Sequence, residues 1–486
     1  MVKTEGMTKF LITEKKNRKF VLEGNLWQVI FYFTFPIIIY WVFQNISDVI
    51  DILILKRKSF LDATITFISR VHLFKGVFIP FGISIATGGV ILVGRAYGEN
   101  NIAKMRLYLA KTFLLSILIS LLVSFLCIFV FQNPILKFIL KISTIPQEYA
   151  QQKQYYNLII LSFVCIIINT VFLSLERAKG NNKIPLFLNL LNAFSKIILS
   201  FVLFKYYPFI ASLAWATFIS NFIITLFALW FLFFDLHNPF KIVFKNLRFD
   251  QEFMKKISKL AIPVCASISV YGLGKLIVSI VVRELYNGGP ENLTSSQIGA
   301  ILTLAIAINN IFYNLLNSFS DSQNAIISQN LGHNNLNRVF EAFKKIILCM
   351  CFFALIGTLV NCFGYKLFLP FFYNKVWEQI PDLEREAFRK LLFFETTSLW
   401  LSCGSIILFN FLVSFKKIAP SFYLNFLRSF FRICFIFLFS SVCLNWGVTG
   451  VGLSILLSNL LCFIITFTIF ISFYLKLKRE KSFERD

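Results

Sequence analysis

From Trp27 to Leu475 the chain runs as long apolar stretches separated by short polar breaks, with no alternation of the kind a half-buried strand shows. Twelve stretches of roughly 20 to 30 residues are each long enough to cross a bilayer as a helix. They lie near 27–55, 61–95, 105–132, 155–178, 184–205, 208–234, 257–286, 295–330, 339–368, 388–415, 418–442 and 446–475. Spans 2 and 8 are long and carry polar positions, so they are expected to bend or to run past the bilayer. The first stretch is too long for a signal-peptide core and shows no small-residue cleavage site, so it is expected to be a retained membrane helix.

The pattern repeats. Gly98-Glu-Asn-Asn closes span 2 and Gly332-His-Asn-Asn closes span 8, some 234 residues apart. Pro36 and Pro263 open spans 1 and 7, and Pro185 and Pro420 open spans 5 and 11, at nearly the same offset. Six spans per half is an even number, so the two halves point the same way. The expected fold is therefore all-α and integral to the membrane, with twelve transmembrane helices in two pseudo-symmetric six-helix bundles. The expected divisions are an N-terminal segment (1–26), an N-lobe (27–234), a linker (235–256), a C-lobe (257–475) and a tail (476–486). Gly94, Gly98 and Gly332 are expected to permit sharp turns.

Composition agrees: 57% of residues are hydrophobic, and mean hydropathy is +0.73. The net charge of +24 raises nucleic acid as a partner. Most basic residues, however, sit in the polar breaks, where positive charge sets membrane orientation. No nucleic-acid partner is expected. Their distribution predicts a multi-pass protein of the cell membrane with both termini cytoplasmic. The ten cysteines form no CxxC pair and the three histidines are scattered, so neither a metal site, a cofactor nor a disulfide framework is expected. Lone histidines and loops of no more than about 25 residues also argue against a membrane-embedded enzyme.

Charged residues inside the spans carry the candidate chemistry. Asp48 and Asp51, in NISDVID, lie three apart and share a helix face. Lys196 stands halfway along span 5. Lys275 stands twelve residues after Pro263, as Asp48 does after Pro36. Arg428 and Arg432 share a face of span 11, and span 2 adds Arg70, His72 and Lys75. If Lys196, Lys275, Arg428 and Arg432 line a cavity, its field is positive and its solute is anionic or zwitterionic, since Arg grips carboxylate and phosphate. Alternatively each base snorkels to a headgroup or pairs with Asp48, Asp321 or Glu395. Asp321 is a candidate partner for Arg432 or Lys275. Glu176 and Arg177 end span 4 and are expected at the surface.

The stretch GISIATGGVILVGRAYGENNIAK (Gly82–Lys104) resembles the second-span signature of the MATE (multidrug and toxic compound extrusion) transporters of the MOP flippase superfamily. SFSDSQNAIISQNLGHNNLNR resembles the family's eighth span. Pro36, Gln44 and Asp51 have the spacing of its first helix. The similarity runs over about residues 27–475.

The resemblance implies a monomeric antiporter that expels drugs or other small organic solutes in exchange for protons or sodium ions. In the family an Asp on span 1 titrates or binds the ion, assisted by Asn-x-x-x-Asp on span 5. Here that motif reads KIILS, placing Lys196 and Ser200 at its two positions; Tyr271 stands where some members carry a span 7 Glu. Both changes remove carboxylate ligands, which favours H+ over Na+ as the coupling ion. Asp51 and Lys196 then admit two readings: a protonatable switch, with Asp48 as a second proton site, or a fixed ion pair with Lys196 in the cation's place. The candidate cavity residues are Gln44, Tyr271, Lys275, Asp321, Arg428 and Arg432. The alternative is a flippase of the same superfamily for an anionic lipid-linked substrate.

Overall fold

The computed structural model describes residues 18–483, apart from 58–61, 141, 144, 208, 236–241, 243–250, 286–292, 374–375, 418 and 442–443. Among these residues there is no strand, and twelve helices are long and apolar enough to cross a membrane. They are α1 (Leu26–Arg57), α2 (Asp62–Gly98), α3 (Ile102–Phe125), α4 (Pro146–Ala178), α5 (Lys183–Tyr206), α6 (Ile210–Phe233), α7 (Gln251–Leu285), α8 (Ser295–Gly332), α9 (Leu336–Tyr373), α10 (Asp382–Ser414), α11 (Ala419–Ile436) and α12 (Gly447–Phe483). The chain is a multi-pass membrane protein. A short helix over 18–23 precedes α1.

The helices fall into two compact units. The first comprises α1–α6, the start of α7 to Cys265, and the α8–α9 turn from Asn324 to Ala342. In it α1 packs on α5, α5 and α4 on α6, and α2 and α3 on α4. The second unit holds the rest of α7, α8 and α9 with α10–α12. There α10 and α11 pack on α12, repeating the α4–α6 and α5–α6 pairings six helices on.

Packing follows from which face of each helix is polar. On α3, Thr112, Ser116, Ser120 and Ser124 form a buried stripe of small residues. Such stripes let backbones approach closely. Ser124 Oγ reaches across to donate to the Ile160 carbonyl of α4 at 3.2 Å. The opposite face, with Leu118, Leu122 and Phe125, is exposed.

The repeated Gly-x-Asn-Asn motif builds the same turn twice. Asn100 and Asn334 take left-handed backbone angles, with φ of 59° and 57°. After α2 the amides of Asn100 and Asn101 donate to the carbonyls of Tyr97 and Ala96; after α8 those of Asn334 and Asn335 donate to Leu331 and Asn330. This is the Schellman pattern, satisfying carbonyls that a helix end otherwise leaves open. The second Asn of each pair then caps the next helix: Asn101 Oδ1 accepts from Lys104 N at 3.0 Å and Asn335 Oδ1 from Arg338 N at 3.1 Å. The turn belongs to the asparagines, not to the glycines as expected. Gly98 and Gly332 instead lie where the ends of α2 and α8 press together, and a Cβ on either would fall 2.2 Å from a carbonyl oxygen of the other helix.

Pro36 and Pro263 also differ from expectation: each lies inside its helix rather than at its start. Pro36 has no N–H for the carbonyl of Tyr32, four residues back. Asn182 supplies the missing donor, its Nδ2 lying 2.8 Å from that oxygen. The Tyr32 hydroxyl also accepts from the Asn182 amide at 3.4 Å. The α4–α5 turn, in which Gly180 has a φ of 78°, thus holds α1 at its proline.

Candidate functional site

In the first unit α1 and α5 face each other with polar stripes at helical spacing: Tyr40, Gln44, Ser47 and Asp51 on one, and Asn189, Asn192, Lys196 and Ser200 on the other. The lipid-side positions of α5, including Phe194, Ile198 and Phe201, are exposed and apolar. Each helix is amphipathic with its polar face inward, as hydrocarbon surroundings require.

Asp51 is buried at the lower end of this seam. Its Oδ1 accepts from Ser200 Oγ at 3.0 Å, and its Oδ2 lies 3.4 Å from Lys196 Nζ. The i, i+4 spacing of Lys196 and Ser200 brings both to one carboxylate. Two clefts meet at Lys196. One is lined by Tyr40, Gln44, Ser47, Asn189 and Asn192, the other by Asp51, Lys75, Tyr155, Ser162 and Thr217.

Magnitudes show what such a pair is good for. At an effective dielectric of about 20 the attraction at this distance is roughly 5 kcal/mol. Removing the two charges from water costs several kcal/mol each. The pair contributes little net stability, yet losing one partner costs about 3–5 kcal/mol. That profile suits a switch better than a strut.

A second polar group, not read from the sequence, continues inward. Asn192 Nδ2 lies 3.5 Å from Asn221 Oδ1 on α6. The Asn221 carbonyl accepts from Asn169 Nδ2 on α4 at 2.9 Å, and Thr225 Oγ1 donates to Asn169 Oδ1 at 3.0 Å. Lone Asn and Thr in apolar runs give no sequence signal beyond being unsuited to hydrocarbon. Glu176, expected at the surface, is instead buried and paired with Lys179, and Asn181 Nδ2 donates to it at 3.2 Å. The turn folds back over the carboxylate.

The second unit holds a narrow cleft of about 30 Å³. Tyr271, Asn309, Tyr313, Glu395, Arg432 and Asn459 are among its lining residues. Arg432 donates to Ser458 Oγ at 3.1 Å and Asn459 Oδ1 at 3.2 Å, both on α12. Arg428, one turn earlier, is also buried and stacks over the Tyr271 ring at 5.3 Å. Glu395 accepts from Asn309 Nδ2 at 3.2 Å. Asp321 is exposed on α8 and does not line this cleft. The partners of Arg432 are thus the neutral pair on α12 and not the expected Asp321. The side chains of Asp48, His72 and Lys275 lie outside the described residues.

Gln44, Asp51, Lys196 and Ser200 therefore assemble in the first unit, and Tyr271, Arg428 and Arg432 in the second. Sequence reading left Asn309 and Asn459 unremarked and named Glu395 only as one of three possible partners for the bases, since a single polar residue on a long span has no periodic partner to mark it.

Residues 36–202 match the family model MatE. Among curated proteins, none matches the chain. Its fold is shared with a MOP superfamily transporter from Pyrococcus furiosus Vc1, at a TM-score of 0.83 and 14% identity over 94% of this chain and 98% of that one. A multidrug resistance MATE family transporter in an outward-facing conformation gives a TM-score of 0.82 at 14% identity, covering 94% and 98%. A MATE protein in a bent conformation gives 0.79 at 15% identity, covering 96% and 99%. The resemblance carried by the two glycine motifs is thus matched by the family pattern in the first half and by the architecture of almost the whole chain: this protein has the fold of the MATE transporters of the MOP superfamily, with twelve membrane-length helices among its described residues.

Proposed function

We propose that the protein is a secondary-active antiporter that exports small organic solutes across the cell membrane by alternating access, in exchange for protons. The observation that carries this reading is the buried Asp51 carboxylate held between Lys196 and Ser200. A proton arriving on Asp51 cancels its charge and leaves the Lys196 ammonium buried without its counter-ion. The resulting bias of about 3–5 kcal/mol is comparable to the roughly 5.5 kcal/mol that moves a two-state equilibrium from 1:99 to 99:1. Departure of the proton restores the pair and resets the state. Lys196 occupies the space that a bound metal cation would need beside the carboxylate, which favours H+ over Na+.

The surplus of basic residues in the polar breaks favours cytoplasmic termini, so that export runs away from the N-terminal side. The proposed unit is a monomer. The Pyrococcus furiosus transporter that shares the fold is described by a binding pocket of reverse polarity that suggests a different function. In this chain buried Arg428 and Arg432 in the second unit favour a solute with a negative group and make a simple organic cation a poor ligand.

The test is solute-dependent proton movement in proteoliposomes. Wild type should acidify or alkalinise the lumen according to the imposed solute gradient, and Asp51→Asn should abolish that movement. Full coupling in Asp51→Asn would overturn the proposal.

A further inference from the structure

The cleft of the second unit places a guanidinium and a carboxylate from different helices within one set of walls, Arg432 from α11 and Glu395 from α10. Arg432 is 7% exposed and Glu395 9%. The two bonds from Arg432 to Ser458 and Asn459 fix the plane of the guanidinium, but both acceptors are neutral and do not cancel its charge. Guanidinium has five N–H donors, so further donors remain for a carboxylate.

The repeat sharpens the point. Fifteen residues after Pro36 stands Asp51, the internal anion that meets Lys196; fifteen residues after Pro263 stands Val278, which lines this cleft. The second repeat keeps a base within one residue of the matching place on α11 and lacks the acid on α7. Its acid comes from α10 instead: Glu395 lines the same cleft and its charge acts on Arg432, so a solute that carries both charges can meet each in turn.

Asn309 adds an independent sign. It is 6% exposed and lines the cleft; its Nδ2 donates to Glu395, while its Oδ1 is buried with no hydrogen-bond partner. Leaving such an acceptor unmet costs about 1–3 kcal/mol. A ligand with N–H donors would satisfy it together with the Glu395 carboxylate beside it.

We propose that this cleft, on opening beyond the about 30 Å³ it holds here, binds a small zwitterionic solute of amino-acid type, its carboxylate on Arg432, its ammonium on Glu395 and Asn309 Oδ1, and its body against Tyr271 and Tyr313. A cation without a carboxylate would bring a second positive charge to Arg432. An anion without a donor would meet Glu395 and leave Asn309 unsatisfied. This names the substrate class of the proposed antiporter and rests on that reading for its purpose, though not for its test.

The test is equilibrium binding by titration calorimetry to the full chain in detergent, with neither membrane nor gradient. The probes are L-phenylalanine, L-alanine, 3-phenylpropionate and phenethylamine. Phenylalanine should bind about tenfold or more tightly than either single-charge analogue, since one charge-assisted contact is worth at least about that factor. Arg432→Gln should erase its advantage over phenethylamine, and Glu395→Gln its advantage over 3-phenylpropionate. Should Arg432→Gln fail to fold, Asn459→Ala loosens the guanidinium without removing its charge and should weaken phenylalanine several-fold. Binding of neither amino acid up to about 10 mM, where the two charge-assisted contacts together would already register, would overturn the proposal. So would equal binding of 3-phenylpropionate, or a preference for phenethylamine that Arg432→Gln leaves unchanged. Because no proton gradient is involved, loss of binding leaves the Asp51 experiment to decide coupling separately.

Discussion

Gly98 and Gly332 touch: a Cβ built on Gly98 would lie 2.9 Å from the Gly332 Cα and 2.2 Å from the Gln329 carbonyl oxygen. The two repeats of one motif meet at their smallest residue, and the contact is backbone on backbone, which cannot be relieved by turning a side chain. Gly98→Ala and Gly332→Ala should each lower stability by about 1–3 kcal/mol, the usual cost of overpacking. Gly76, whose Cβ would meet nothing within 4 Å, is the control. Thermal unfolding in detergent measures the difference, and equal melting of Gly98→Ala and Gly76→Ala would refute the packing account.

The Asp51–Lys196 pair should be worth more intact than halved. Asp51→Asn and Lys196→Gln should each destabilise by about 3–5 kcal/mol, because each strands its partner. The double variant should recover much of that loss, though not proton coupling. A double variant as unstable as the sum of the singles would show that the two residues act independently.

Asn182 stands in for the amide that Pro36 lacks, so the two positions should be coupled. Asn182→Ala should cost about 1–3 kcal/mol by leaving the Tyr32 carbonyl unmet. In a Pro36→Ala background, where residue 36 regains its own N–H, the same change should cost less. A double-mutant cycle by thermal unfolding reads the coupling, and strict additivity would exclude the substitution of one donor by the other.

Lys416 ends α10 in the left-handed region, with a φ of 63°, in a turn whose counterpart after α4 uses Gly180. Its amide donates to Val413 and that of Lys417 to Leu412, again the Schellman pattern. A left-handed residue with a Cβ carries about 1–2 kcal/mol of strain. Lys416→Gly should therefore leave the melting temperature unchanged or raise it, whereas Lys416→Val should lower it. The reverse order would contradict the backbone geometry.

Arg338 holds the start of the chain. Its Nη2 donates to the carbonyls of Val21 at 2.9 Å and Gly24 at 2.6 Å, and Arg18 Nη2 donates to the Gly98 carbonyl at 2.8 Å. Arg338→Ala should free the 18–24 segment, seen as faster hydrogen exchange there. Unchanged protection would mean that the packing of Val21 and Leu22 and the Arg18–Gly98 bond suffice to secure it.

The twelve helices were legible because apolar runs of bilayer length admit few other structures, and the repeat because three pairs of anchors kept their order. Asp51 was legible by its spacing from Pro36, and Lys196 and Ser200 by the two positions they take in the family's Asn-x-x-x-Asp motif. What the sequence hid was which group answers which. Nothing in KIPLFLN or ERAKGNN says that Asn182 meets the carbonyl behind Pro36, or that Glu176 is drawn inward by Lys179. Glycine beside asparagine suggested a glycine turn, and only the backbone shows that asparagine bends the chain while glycine admits the neighbouring helix. The partners of Arg432 come from a helix some 26 residues further on, at positions that look like ordinary polar interruptions.

The bonds from Arg338 to Val21 and Gly24 join points more than 310 residues apart along the chain. At about 5–20 residues per second of synthesis, roughly fifteen to sixty seconds pass between the appearance of these carbonyls at the ribosome and that of the arginine that clasps them. The clasp on Val21 and Gly24 therefore closes only after the first eight helices have been made, and this part of the segment's docking is a late event in biogenesis.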